Sequence, residues 1–160
     1  MRIGVIADSH DNLNTIKKAA AAFRREGVAL VLHAGDHISP FSLAPLKDTG
    51  CRVIGVFGNN DGEKILLAKR YEEIGEIHAA PHFLACEGFH IALMHEPFAI
   101  DRLGESGAFD LVIYGHTHRK DIRKGKSLVV NPGECGGWLS EEPTVAVVDL
   151  PSGDVQVISL

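Results

Sequence analysis

Residues 3–10 have the sequence IGVIADSH, which joins a short apolar run to two polar side chains, Asp8 and His10. An apolar run of this length that ends in polar residues is typical of a buried strand. Because Asp8 and His10 are two residues apart, they leave the end of that strand on the same side, where a carboxylate and an imidazole can bind one metal ion. The stretch therefore predicts a strand that ends at a candidate metal site.

Four further apolar runs end in the same way, at side chains with oxygen or nitrogen donor atoms. In open α/β sheets, ligands bind beyond the carboxyl ends of the strands, so we expect these donors to face one crevice. Seven donors are too many for one ion and suit two. The runs and their donors are residues 29–33 with Asp36, 53–57 with Asn59, 91–94 with His95, and 111–114 with His116 and His118.

The order of the elements predicts an α/β fold. Asp11-Asn12 offers N-cap chemistry to a first helix, Pro40 can open a second, and Asp61 is expected to begin and cap a third. Strands that alternate with helices imply a parallel sheet. A second sheet, at least partly antiparallel, is expected to begin with residues 76–80, 83–86 and 90–94. Residues 97–108 are expected to be a loop or helix, and later strands are expected at 127–130, 144–150 and 155–160.

Composition points to one soluble domain spanning residues 1–160. The chain is 45% hydrophobic and 23% charged, as globular proteins are, and its apolar runs are too short to span a membrane. Asp8 leaves no room for a signal peptide, so we expect a cytoplasmic protein. A net charge of −5 makes nucleic acid an unlikely partner.

The three cysteines, Cys51, Cys86 and Cys135, are scattered and odd in number, which fits reduced thiols. We expect Cys51 and Cys86 to be core residues, whereas Cys135 could border the site. Trp138, close to it, could form a lip over the site, a substrate-stacking surface or a subunit interface. A homo-oligomer is compatible with the sequence.

The ordered motifs resemble the calcineurin-type metallophosphoesterase signature. They are Asp8-Ser9-His10, Gly35-Asp36, Gly58-Asn59-Asn60-Asp61, His95 and Gly115-His116-Thr117-His118. The short length and the loop Asn131-Pro132-Gly133-Glu134 are similar to the small YfcE-like branch, particularly its archaeal phosphodiesterases. The resemblance implies a four-layered α/β sandwich, with two mixed β-sheets flanked by helices.

The resemblance also implies a binuclear metal centre. It assigns Asp8, His10, Asp36 and His118 to one ion, and Asp36, Asn59, His95 and His116 to the other, with Asp36 as the bridge. Mixed carboxylate, amide and imidazole donors suit Mn²⁺ or Ni²⁺, with Fe²⁺, Co²⁺ or Zn²⁺ as further choices. Asn59, Asn60 and His95 are the residues expected to act in catalysis.

Two positions depart from the family pattern. Asn60 stands where many members have a histidine that protonates the leaving group, and an amide has no such proton to give. Glu96 follows His95 where the family usually has glycine, so the backbone of Glu96 must take an ordinary conformation or a strained left-handed one.

The activity implied by the resemblance is hydrolysis of a small phosphodiester by a bimetal-bound hydroxide, with acidic leaving groups favoured. A phosphomonoesterase and a protein-binding scaffold, such as the retromer subunit of this fold, are the alternatives.

The remaining histidines have simpler interpretations. We expect His33 and His90 to be satisfied sheet residues, and His78 and His82 to lie in a loop or at an edge. His37 follows Asp36 directly, and a structural or surface role is favoured over contact with substrate phosphate because adjacent side chains diverge.

Overall fold

The computed structural model describes residues 1–160 as two stacked β-sheets with helices on both outer faces. The strands are β1 Arg2–Ile6, β2 Leu30–His33, β3 Arg52–Val56, β4 Gly75–His78, β5 His82–Cys86, β6 Phe89–Leu93, β7 Leu111–Ile113, β8 Lys120–Lys124, β9 Leu128–Pro132, β10 Thr144–Asp149 and β11 Asp154–Ser159. The helices are α1 Leu13–Arg25, a 3₁₀ helix Pro40–Thr49, α2 Lys64–Tyr71 and α3 Ile100–Ser106.

Both sheets are mixed. The first has the order β11-β10-β1-β2-β3-β4, in which β1 to β4 are parallel and β10 pairs antiparallel with both β1 and β11. The second has the order β5-β6-β7-β9-β8, with a parallel centre and antiparallel edges. The predicted pair of mixed sheets is therefore confirmed.

Alternation along the strands builds the layers. In β1, Ile3 and Val5 face the second sheet, where they pack against residues such as Leu93, whereas Ile6 faces α1 on the other side. A third apolar cluster lies between the second sheet and α3. Two sheets and two outer helical layers give the four-layered sandwich that was expected. No helix combines the length and apolar character needed to cross a bilayer.

The boundary between the sheets was predicted wrongly. The strand expected at residues 76–80 is β4, and it pairs in parallel with β3 in the first sheet. The reason is that α2 carries the chain back to the start of the sheet, so the next strand runs parallel to β3. The second sheet begins at β5, whose hairpin with β6 agrees with the prediction.

The edge strand β8 was not predicted. Its sequence, KDIRK, is mostly charged and exposed, so it carries none of the apolar alternation that marks a half-buried strand. Charged residues on an edge strand are a common protection against pairing with other chains.

Gly55 in β3 provides space for a buried tyrosine. A Cβ atom at this position would lie 2.8 Å from Tyr71 Cζ, and the Tyr71 side chain is fully buried. The Tyr71 hydroxyl is in turn 2.8 Å from His37 Nε2, so the ring cannot withdraw without losing that hydrogen bond. The absence of a side chain at Gly55 therefore allows the Tyr71 ring to pack there and to contact His37 in the loop after β2.

We expect Gly55→Ala to lower the free energy of unfolding by about 1–3 kcal/mol, because the added methyl group overpacks the core against Tyr71. Urea denaturation of wild type and variant measures the change. Gly62→Ala is the matched control, since a Cβ there meets nothing within 4 Å. Equal stability of the two variants would contradict the packing account.

Candidate metal centre

The structure brings all seven predicted donor side chains into one crevice at the carboxyl ends of the strands. Asp8, Asp36 and His95 are buried, and Asn59 and His116 lie at the open side. Donor atoms are separated by 3.6 Å for His10 Nε2 and Asp36 Oδ2, 3.4 Å for His95 Nε2 and Asp36 Oδ2, 3.7 Å for His118 Nε2 and Asp8 Oδ1, and 2.9 Å for Asn59 Oδ1 with both His95 Nε2 and His116 Nδ1.

Asp36 lies at the centre of this arrangement. One of its oxygens, Oδ2, lies 3.6 Å from His10 Nε2 and 3.4 Å from His95 Nε2, and it also accepts a 2.7 Å hydrogen bond from Asn60 Nδ2. The Asn60 backbone N–H donates to Oδ1 at 2.9 Å. Burial favours the neutral acid, but the neighbouring His95 and the hydrogen bonds from Asn60 outweigh it and lower the pKa of Asp36 to about 2.

Asp8 has the opposite electrostatic balance. Burial raises its pKa to about 7, against the lowering effect of the nearby His95 and His118. The backbone N–H of His116 donates to Asp8 Oδ2 at 3.0 Å, which fixes the carboxylate. A cation in the crevice would stabilise the charged form that burial disfavours.

The donor set fits divalent metal ions. His10 Nε2 is buried and has no hydrogen-bond partner, an arrangement that native proteins avoid unless another group satisfies the atom. His95 Nδ1 lies 2.8 Å from the carbonyl of Ala34 and must donate to it, which directs Nε2 into the crevice. Carboxylate, amide and imidazole donors without thiolates are suited to Mn²⁺, Fe²⁺, Co²⁺, Ni²⁺ or Zn²⁺.

Most of these donors have left-handed backbone conformations. Such a conformation is uncommon outside glycine and clusters at functional sites when the surroundings enforce it. Gly35 also has a positive φ, of 94°, in keeping with the sharp turn expected before Asp36. The φ angles of the five donors are 51° for Asp8, 40° for His10, 59° for Asp36, 66° for His116 and 58° for His118.

Asp61 holds two of the donor loops, and its predicted role as a helix cap was wrong. Helix α2 begins at Lys64, and Glu63 is its N-cap. The Asp61 carboxylate instead accepts backbone N–H groups from the loops after β2 and β3. The N–H groups that hydrogen-bond to Asp61 are those of Asp36 at 3.2 Å, His37 at 2.7 Å, Ile38 at 2.8 Å and Gly58 at 2.8 Å.

His37 and His33 both support the loop after β2. His37 is fully buried, and its Nδ1 lies 3.1 Å from Asp61 while its Nε2 contacts Tyr71, so it is structural, as favoured from the sequence. Its ring stacks on that of His33, with centroids 3.6 Å apart. His33 accepts from Gly35 N at 3.2 Å and contacts Ser9 Oγ at 3.2 Å, which confirms it as a satisfied sheet histidine.

Glu134 was missed by the sequence reasoning, although its loop had been noted. It is fully buried, and its Oε1 lies 3.2 Å from His118 Nδ1 without hydrogen-bond alignment. Burial favours its neutral form, but backbone N–H groups that include those of Ser140 and Trp138 lower the pKa of Glu134. The indole of Trp138 donates to the His10 carbonyl at 3.0 Å, so this loop supports both His118 and His10.

Several other expectations are now resolved. Asn12 caps α1, whereas Asp11 accepts two hydrogen bonds from Ser39. Cys135 is buried in the cluster between the first sheet and its helices, so it is a core residue. Glu96 does not have a positive φ, so the backbone after His95 is not strained by the absence of the glycine that is usual in the family.

Three further histidines lie away from the donor side chains. His78, the last residue of β4, stacks on His82, the first residue of β5, with centroids 3.7 Å apart and Glu76 nearby. His90 is exposed on β6, where its backbone N–H donates to Asp110. None of the three contacts the predicted donors.

Two stacked mixed sheets with donor side chains collected at the carboxyl ends of their strands are the arrangement that the resemblance to metallophosphoesterases implied. Residues 1–153 match the model of the calcineurin-like phosphoesterase superfamily domain. The chain belongs to this superfamily, as the motif order had indicated.

Comparison with known proteins places archaeal enzymes among the similar proteins. Phosphodiesterase MJ0936 of Methanocaldococcus jannaschii is 35% identical over 165 residues, which cover 100% of this chain and 99% of that protein. A solved structure described as a novel archaeal phosphodiesterase has a TM-score of 0.93 at 32% identity, with all of both chains covered. Chaetomium thermophilum Vps29 shares the fold alone, with a TM-score of 0.72 at 16% identity over 100% of this chain and 95% of that one.

We expect Asp61→Ala to lower the free energy of unfolding by roughly 3 kcal/mol or more, since several buried N–H groups lose their acceptor at once. Thermal or urea denaturation measures the loss. Glu63→Ala is the control, because this exposed residue makes no side-chain capping bond to α2. A loss no larger than that of the control would contradict the role assigned to Asp61.

Proposed function

We propose that this chain is a metal-dependent phosphodiesterase that hydrolyses a small phosphodiester in the cytoplasm, and that residues 1–160 form its single domain. The observation that carries the proposal is the complete set of donors around Asp36, in a chain whose archaeal relative is named a phosphodiesterase. Negative net charge argues against nucleic acid as the partner.

Seven side chains would hold two ions in this proposal. Asp36 would be shared, because its Oδ2 lies near both His10 Nε2 and His95 Nε2. When bound, such ions acidify water and offset the charge on phosphoryl oxygens. Asp8, His10 and His118 would complete one set, and Asn59, His95 and His116 the other. Mn²⁺ or Ni²⁺ is the proposed metal, with Fe²⁺, Co²⁺ or Zn²⁺ as the further choices.

The chain's own groups set the kind of leaving group. Asn60 lies beside Asp36 and donates hydrogen bonds through its amide, but it has no ionisable proton to transfer. An alkoxide that departs without protonation is a poor leaving group, whereas an acidic alcohol or phenol departs readily. The proposed substrates therefore have acidic or activated leaving groups.

Two alternatives remain distinct from this proposal. A phosphomonoesterase would use the same donors on a more highly charged substrate. A scaffold of this fold is suggested by the likeness to Vps29, but loss of donor residues would favour it, and all seven donors are present and grouped in this chain.

We expect Mn²⁺- or Ni²⁺-dependent hydrolysis of bis-p-nitrophenyl phosphate to exceed that of p-nitrophenyl phosphate. Asp36→Ala is expected to lower the diester rate to background and to reduce the metal retained, as measured by elemental analysis. Equal rates for Asp36→Ala and wild type would overturn the proposed site, and faster monoester hydrolysis would favour the phosphomonoesterase. A stoichiometric protein partner together with inactivity in every metal would favour the scaffold.

We expect Asn60→His to speed hydrolysis of diesters with weakly acidic leaving groups by roughly 10²-fold or less, the lower range of general acid catalysis. p-Nitrophenyl esters should change little, because their leaving group needs no proton. The measurement is the dependence of kcat on leaving-group pKa, which should become shallower in the variant. An unchanged slope would show that position 60 does not limit leaving-group departure.

A further inference from the structure

A pocket of about 690 Å³ opens directly beside the candidate metal centre. Asn59 and His95 belong both to the donor set and to the pocket wall, so the pocket borders the donors directly. The volume lies within the range of small-molecule sites, roughly 300–1,000 Å³. A diester held at the donors can therefore extend one of its two arms into this pocket.

The pocket wall is aromatic. Phe57, Phe83 and Phe98 line it, and the side chains of Phe83 and Phe98 are 56% and 82% exposed. Phe83 is also backed by Phe109, with ring centroids 5.2 Å apart and 18° between the planes. Large exposed rings grouped beside a site indicate a surface for a flat apolar ligand.

Two charged side chains accompany the rings. Lys64 and Glu96 both line the pocket, and Lys64 Nζ lies 5.5 Å from the centroid of the Phe57 ring. A purely apolar occupant would cover an ammonium and a carboxylate without offering either a partner, which is costly. A heteroaromatic ring offers a face to the phenylalanines and, at its edge, acceptors for Lys64 and donors for Glu96.

We propose that this pocket binds a nucleobase-sized heteroaromatic ring on one arm of the phosphodiester. The inference rests on the proposed function and extends it from diesters in general to nucleotide-type diesters. The ring stacks on Phe83 and Phe98, and its polar edge faces Lys64 and Glu96. Stacking on aromatic side chains is tolerant of base identity, so the pocket selects for the presence of a base more than for one base.

The test compares two ligands that differ only in the base. Adenosine 5′-monophosphate and ribose 5-phosphate are titrated by calorimetry into the Mn²⁺-loaded protein, so the result does not depend on turnover. We expect adenosine 5′-monophosphate to bind roughly tenfold more tightly, the gain of one stacked base. Equal affinity of wild type for the two ligands, or no binding of either, would overturn the proposal.

Variants locate the preference in the protein. Phe83→Ala and Phe98→Ala should each reduce the preference for adenosine 5′-monophosphate severalfold and leave the affinity for ribose 5-phosphate unchanged. Phe41→Ala is the matched control, since this ring is 52% exposed and lies outside the pocket. A preference that survives both pocket substitutions would overturn the assignment. Failure to hydrolyse any diester would instead overturn the proposed function, which the binding measurement does not assume.

Discussion

The Asp61 carboxylate is the constraint on which the candidate site depends. It collects backbone N–H groups from the loop after β2 and from the loop after β3, and these loops present Asp36 and Asn59. His37 connects it to Tyr71, and Tyr71 in turn occupies the space left by Gly55. A chain of buried contacts therefore runs from the helix-facing side of the first sheet to the central donor.

This anchoring explains how strained backbone persists at the site. Ile38 has a φ of 80°, which is exceptional for a β-branched residue, and Asp36 has a φ of 59°. Conformations of this kind cost on the order of 1–3 kcal/mol each, and they persist only where the surrounding structure enforces them. The hydrogen bonds that Asp36 N and Ile38 N donate to Asp61 enforce them here, and the Asp36 carboxylate is held near His10 and His95.

The electrostatics of the crevice lead in the same direction. Asp8 and Asp36 are both fully buried, yet burial raises the pKa of one while hydrogen bonds lower the pKa of the other. His10 Nε2 faces the same space without a partner. A divalent cation bound in the crevice would offset the buried negative charge and would satisfy the unpaired nitrogen, which supports the proposed metal site.

The order of the sequence motifs determined the family, and the resemblance to that family implied the pair of mixed sheets. The sequence also predicted the grouping of the seven donors, because apolar runs that end in donor residues set both strand position and strand direction. It failed where local pattern carried no signal. The charged strand β8 lacks alternation, β4 joins the first sheet because of the path of α2, and Asp61 resembles a helix cap in sequence alone. Only the tertiary structure decided that Asp61 and Glu134 support the donors, since their partners lie on other loops. It also decided that Phe83 and Phe98 line the pocket beside the donors, because that depends on how the two sheets stack.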